Sequence, residues 1–169
     1  MKRLTALFLI LCMIFSLGAC SMRKDRVEFY YLRANSEYIY GAADGVIAGE
    51  TRMVPGYTED LTYLLKLYLE GPLREEHESP LPLDTSLIGH ATTGDVLNIT
   101  LNGDFDRMTD MEFTLATACI ARTCFDITPV RQVSILYTSM IKDPRTVTIT
   151  RDALMLVDDT EMTLPTQAQ

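Results

Sequence analysis

Tryptophan is absent from this chain, and histidine occurs only twice among its 169 residues. A metal site needs at least three convergent ligands, and His77 stands in the run Arg74-Glu75-Glu76-His77-Glu78, where alternation along a single loop does not bring them together. That run reads as a solvated charged loop, and His90 as a partly exposed strand residue. Cysteine is scarce too: Cys12 and Cys20 lie near the N-terminus, which leaves only Cys119 and Cys124 in the body. This excludes a disulfide-rich scaffold. Basic residues are in deficit, 15 against 23 acids, for a formal charge of −8. A phosphate backbone demands clustered Lys and Arg, so nucleic acid is not an expected partner. Ser79, Ser134 and Ser139 have neither a nucleophile-elbow context nor a partnered His, so hydrolase chemistry finds no support. There is no internal repeat and no low-complexity stretch.

What is present is enough apolar material, 47% of residues, for one domain with its own core. The N-terminus is the most informative part. Residues 1–20 read MKRLTALFLILCMIFSLGAC: a short positive start at Lys2 and Arg3, an apolar run from Leu4 to Leu17, then the small residues Gly18 and Ala19. This is the layout of a secretory signal. A run of roughly 14 residues is short for a transmembrane helix, which needs about 20. The residues Leu17-Gly18-Ala19-Cys20 resemble the bacterial lipobox. The resemblance implies that the Cys20 thiol, as thiolate the nucleophile, receives a diacylglyceryl group and that residues 1–19 are then removed as a signal peptide. The expected place is the extracytoplasmic face of the cell membrane, with membrane lipid as a partner through Cys20. An ordinary secretory signal with a chance Cys, or an uncleaved anchor, are the alternatives. Without Lys2 and Arg3 the remaining 150 residues hold 13 bases against 23 acids, a charge of −10.

Residues 20–26 read as a short linker in which Arg23, Lys24 and Arg26 can touch anionic headgroups. The body, residues 27–157, opens on a strand at Val27–Arg33, followed by a loose strand around Tyr38–Tyr40 and another at Val46–Val54. Thr58–Glu70 reads as a helix capped by Thr58, with Leu61, Leu64, Leu65, Tyr68 and Leu69 on one face and Gly71-Pro72 as its stop. Strands at Ser86–Thr93 and Val96–Asn102 flank a Gly94-Asp95 hairpin turn. Thr109 and Glu112 form a capping box for a helix from Thr109 to Thr123. Strands at Arg131–Tyr137 and Thr146–Thr150 follow, Ala153–Val157 is a candidate last strand, and residues 158–169 read as a frayed tail. The order predicts an α+β domain: a mostly antiparallel sheet with two helices packed on one face.

These elements together resemble the GerMN domain of bacterial sporulation and germination lipoproteins. The resemblance covers roughly residues 52–137: the helix ending Leu64-Leu65…Leu69-Glu70-Gly71-Pro72, the Pro80-Leu81-Pro82 run, the strand at 96–101 with Asp104-Phe105 after it, the helix 114–123 and the strand 130–137. The family has a Gly after its final strand where this chain has Thr138-Ser139, and residues 142–157 have no counterpart. The resemblance implies a ring-building-motif-like fold and a non-enzymatic module, without catalytic residues, cofactor or metal, that binds a protein partner or self-associates in the cell envelope.

Two further patterns have competing readings. Asp104, Asp106 and Asp110 look like the start of a calcium loop, but Met108 and Thr109 stand where an EF-hand needs an oxygen ligand and Gly; otherwise they are acids at a helix N-terminus. Cys119 and Cys124 lie about 140° apart on a continuous helix. They form a disulfide only if the helix ends between them, and otherwise remain two buried thiols. A second view of the whole chain is a binding protein for a small ligand or peptidoglycan fragment, its pocket lined by Tyr30, Tyr31, Tyr38, Tyr40 and Tyr57.

Overall fold

Alternation along β1 (Arg26–Arg33) sends Val27, Phe29 and Tyr31 into the core, as the two-residue period of a strand requires. β1 runs antiparallel to β2 (Ile47–Met53) over most of its length and meets the short β3 (His77–Glu78) at its far end, giving a sheet of order β2-β1-β3. A computed structural model describes residues 25–34, 45–139 and 143–154. The lipobox with Cys20, the strand expected around Tyr38–Tyr40 and the tail 158–169 lie outside the described residues.

The second sheet has the order β4-β5-β6-β7, formed by Ser86–Thr93, Val96–Asn102, Gln132–Thr138 and Arg145–Thr150. Gly94, at a φ of +59°, turns β4 into β5. β5 and β6 are parallel, and the chain between them crosses over through helix α2 (Asp110–Ile127), because parallel neighbours cannot be joined by a tight turn. Helix α1 (Leu61–Leu69) packs on β4 and stacks Tyr68 on Tyr31, with ring centroids 5.1 Å apart. α2 touches both β1 and β6 and so joins the two sheets through one core. Ten of its residues are buried, which suits a helix that faces protein on more than one side.

The α+β class stands, and four of the five strand pairings are antiparallel. The expected single sheet is instead two, because β1 pairs only with β2 and β3. Asp60, not Thr58, caps α1: its carboxylate accepts from Tyr63 N–H. Thr58 is passed over because Tyr57 N–H binds Val54 O and Asp60 N–H binds Tyr57 O, which makes a separate turn of those residues. The capping box at Thr109 and Glu112 forms with both of its bonds, and α2 extends past Thr123 to Ile127. Residues 151–154, at the edge of the expected last strand, form a helical turn, α3. Arg151 folds back there to donate to the carbonyls of Phe125, Thr128 and Val130.

Candidate functional site

The one buried charged cluster of the described residues sits where β2, the end of α1 and β3 meet. Glu50 and Arg52 are two apart on β2 and therefore share its inward face, between Ala48 and Val54. Arg52 Nε donates to Glu50 Oε1 at 2.7 Å with both side chains buried. The rest of the guanidinium donates to Leu67 O, Gly71 O and the Tyr31 hydroxyl, and it lies over the Phe29 and Tyr31 rings. Arg52 thus satisfies carbonyls that the end of α1 leaves open. Glu50 accepts in turn from the N–H groups of Leu73 and Arg74, just beyond the Gly71-Pro72 stop.

His77 completes the cluster, with Nδ1 3.2 Å from Glu50 Oε2. It is 9% exposed, so the expectation of a solvated loop residue is corrected for His77. The loop does carry solvent-facing charge at Arg74, Glu75 and Glu76, but β3 turns His77 inward onto a partner 27 positions earlier. Burial raises the Glu50 pKa. Donation from Arg52, from the Leu73 and Arg74 amides and from His77 outweighs that and holds the carboxyl below its ordinary value. A carboxylate so saturated is built to hold segments together. His90 is half-buried and meets Thr62 of α1 through Nε2 at 2.9 Å.

β1 has a second polar junction. The backbone of Tyr30 points away from β2, toward a side that no strand covers at that position. Its N–H donates to Thr123 Oγ1 of α2, and its carbonyl accepts from the Tyr68 hydroxyl of α1. Two helix side chains take the place of a neighbouring strand.

The acids considered for calcium serve separate purposes. Asp104 pairs with Arg107, Asp106 accepts from Ser139, and Asp110 begins α2. Among the described residues no group of three His, Cys, Asp or Glu could hold a metal ion. Cys119 and Cys124 are free buried thiols; α2 runs unbroken through both, so the helix end that pairing requires is not there. Burial pushes the Cys124 thiol up to about 12 and the Cys119 thiol higher still.

An open groove of about 490 Å³ lies between the loop after β3 and the start of α2, lined by the apolar Pro80, Leu81 and Met108 and by the acids Glu78, Asp84 and Glu112, with Arg107 in its wall paired to Asp104. Of the five tyrosines proposed for a pocket, the three described ones, Tyr30, Tyr31 and Tyr57, do not line it. Tyr31 is fully buried, Tyr30 lies under the Arg122 guanidinium, Tyr57 is exposed near the start of β1, and Tyr38 and Tyr40 lie outside the described residues. For Tyr30, Tyr31 and Tyr57 the expectation of a shared pocket is corrected: Tyr31 belongs to the core, and the groove is lined by other residues.

No described helix is long and apolar enough to cross a membrane. The chain matches no family model and no curated protein, so the GerMN resemblance rests on the residues quoted above. It is similar to the crystal structure of a candidate lipoprotein from Clostridium perfringens, at 17% identity over 75% of this chain and 89% of that one, with a TM-score of 0.47.

Proposed function

We propose that this chain is a GerMN-type lipoprotein, anchored through Cys20 on the extracytoplasmic face of the membrane. There it binds a protein partner or further copies of itself in the cell envelope, in sporulation or germination. In this reading it performs no reaction and needs no cofactor. The observation that carries it is the step from lipobox to core: Leu17-Gly18-Ala19-Cys20 is followed after five residues by Arg26, the first residue of β1. A lipid at Cys20 would hold the domain at the surface without a stalk. Lipid chains contribute roughly 0.8 kcal/mol per buried CH₂, so two or three suffice for retention. The Leu69-Glu70-Gly71-Pro72 ending supports the family reading, since Gly71 adopts the left-handed conformation at a φ of +91° and its carbonyl binds Arg52.

The test is Cys20→Ala in the full chain. The expected result is an uncleaved precursor or a protein released from the membrane, while the wild type crosslinks in cells to an envelope protein or to itself. A Cys20→Ala protein that is still processed and membrane-bound would sink the anchor. A wild type that crosslinks to nothing would sink the interaction role.

The acidic groove favours a second reading, an extracytoplasmic binding protein for a small ligand or peptidoglycan fragment. Its four acids against one base, Arg107, suit the free amino group of a stem peptide. A thermal shift with muropeptides that is lost in Glu78→Gln/Asp84→Asn would favour this reading over the first.

A further inference from the structure

Three large apolar side chains stand exposed at one end of the domain: Met53 at 57%, Tyr57 at 51% and Tyr63 at 37%. Tyr57 and Tyr63 pack on each other, ring centroids 4.5 Å apart, outside the core. Such a pair spends apolar area without burying it in the fold, which calls for a partner. Its position says which one. Met53 is the ladder partner of Arg26, the first residue of β1. Val54 N–H donates to Asp25 O at 2.7 Å, and Tyr57 N–H donates to Val54 O at 3.0 Å. The patch therefore surrounds the point where the chain arrives from Cys20, and residues 21–24 alone lie between Cys20 and Asp25. Fully extended, those five steps reach at most roughly 18 Å.

We propose that the Met53–Tyr57–Tyr63 end of the domain seats in the headgroup layer of the membrane to which Cys20 anchors it. This rests on the lipoprotein reading and goes beyond it, because a tethered domain need not touch the bilayer at all. Tyrosine suits that layer: its ring is apolar and its hydroxyl is wet, the reason aromatic belts form at membrane interfaces. The local charge permits contact. Arg23, Lys24 and Arg26 match Asp25, Glu59 and Asp60 in number, whereas the chain from Cys20 onward carries −10. The neutral end is thus the one held nearest the lipid. The opposite end differs: Leu83 and Leu32 both line the groove, and Leu32 is about 20 Å along β1 from Arg26 at roughly 3.3 Å per residue.

The absence of tryptophan makes the test direct. Tyr57→Trp, Tyr63→Trp and Leu83→Trp each introduce a single tryptophan, excited selectively over the tyrosines, at an exposed position. The full-length protein, processed in cells and purified with its lipid, is reconstituted into phosphatidylcholine vesicles whose acyl chains carry bromine near the headgroup. Emission of Tyr57→Trp and Tyr63→Trp should fall at least twofold relative to unbrominated vesicles, and that of Leu83→Trp should not change. Met53→Trp provides a third position should either tyrosine variant fail to fold. If mass spectrometry finds Cys20 modified and the three end positions are quenched no more than Leu83→Trp, the proposal is overturned and the anchor stands. An unmodified Cys20 overturns both.

Discussion

Arg52 Nε and Glu50 Oε1 face each other at 2.7 Å in the buried junction between β2 and the end of α1. The pair is valuable less for its mutual attraction than for the backbone groups each partner satisfies. Arg52→Ala would take the guanidinium away from the buried Glu50 carboxylate, leave Leu67 O without its donor and leave Gly71 O with the Tyr31 hydroxyl alone. Losing one member of a buried pair costs about 3–5 kcal/mol. Chemical denaturation should show a drop of that size. A loss below 1 kcal/mol would mean that water reaches the site and that the junction is not the clasp described here.

The same carboxylate sets an acid limit on stability. Burial alone raises the pKa of Glu50, but its four donors bring it below the ordinary value of 4.5. A group whose folded-state pKa is depressed stabilises the fold above its unfolded pKa, and this contribution disappears as pH falls through the folded value. Stability should therefore be level with respect to Glu50 above about pH 5 and should decline below its ordinary value of 4.5. Glu50→Gln should be less stable than wild type at neutral pH, and the gap should narrow in acid. Parallel pH profiles for the two proteins would contradict the assignment.

How much of this was legible in the sequence depended on distance along the chain. The β4–β5 hairpin, the Thr109–Glu112 capping box and the Gly71 stop are written within a few residues, and each forms as expected. Asp60 lies two residues from Thr58; both are good caps, and the preceding turn decides between them. The parallel β5–β6 pairing and the separation into two sheets depend on partners more than thirty residues apart, beyond the reach of periodicity. His77 read as solvated because its partner, Glu50, lies in another element. A signal was there: two charges on the inward face of β2, flanked by Ala48 and Val54, require buried partners.

Thr123 is a clean probe of the bond between α2 and β1. Its hydroxyl, fully buried, accepts from Tyr30 N–H at 2.9 Å. Thr123→Val keeps the shape and removes the acceptor, so a buried donor is orphaned at a cost of about 1–3 kcal/mol. Thr123→Ser should retain most of the stability lost in Thr123→Val. In hydrogen exchange the Tyr30 amide should lose protection selectively in the Val variant. If Val and Ser variants behave alike, packing rather than the hydrogen bond holds the edge.

Counting thiols bears on the fold and the anchor together. Cys119 and Cys124 are buried, and burial raises both pKa values, that of Cys124 to about 12. Since the thiolate is the reactive form, neither should react with Ellman's reagent in the native protein at neutral pH. In denaturant without reductant, the mature lipid-modified chain should expose these two thiols, Cys12 having left with the leader and Cys20 being alkylated. Three would mean either that Cys20 is unmodified after cleavage or that a lipid-modified chain keeps its leader with Cys12, which the intact mass distinguishes, and four that the leader is retained and Cys20 is unmodified. Two that appear only after reduction would mean a Cys119–Cys124 disulfide, which α2 could admit only by breaking between them, and the continuous helix would then be wrong.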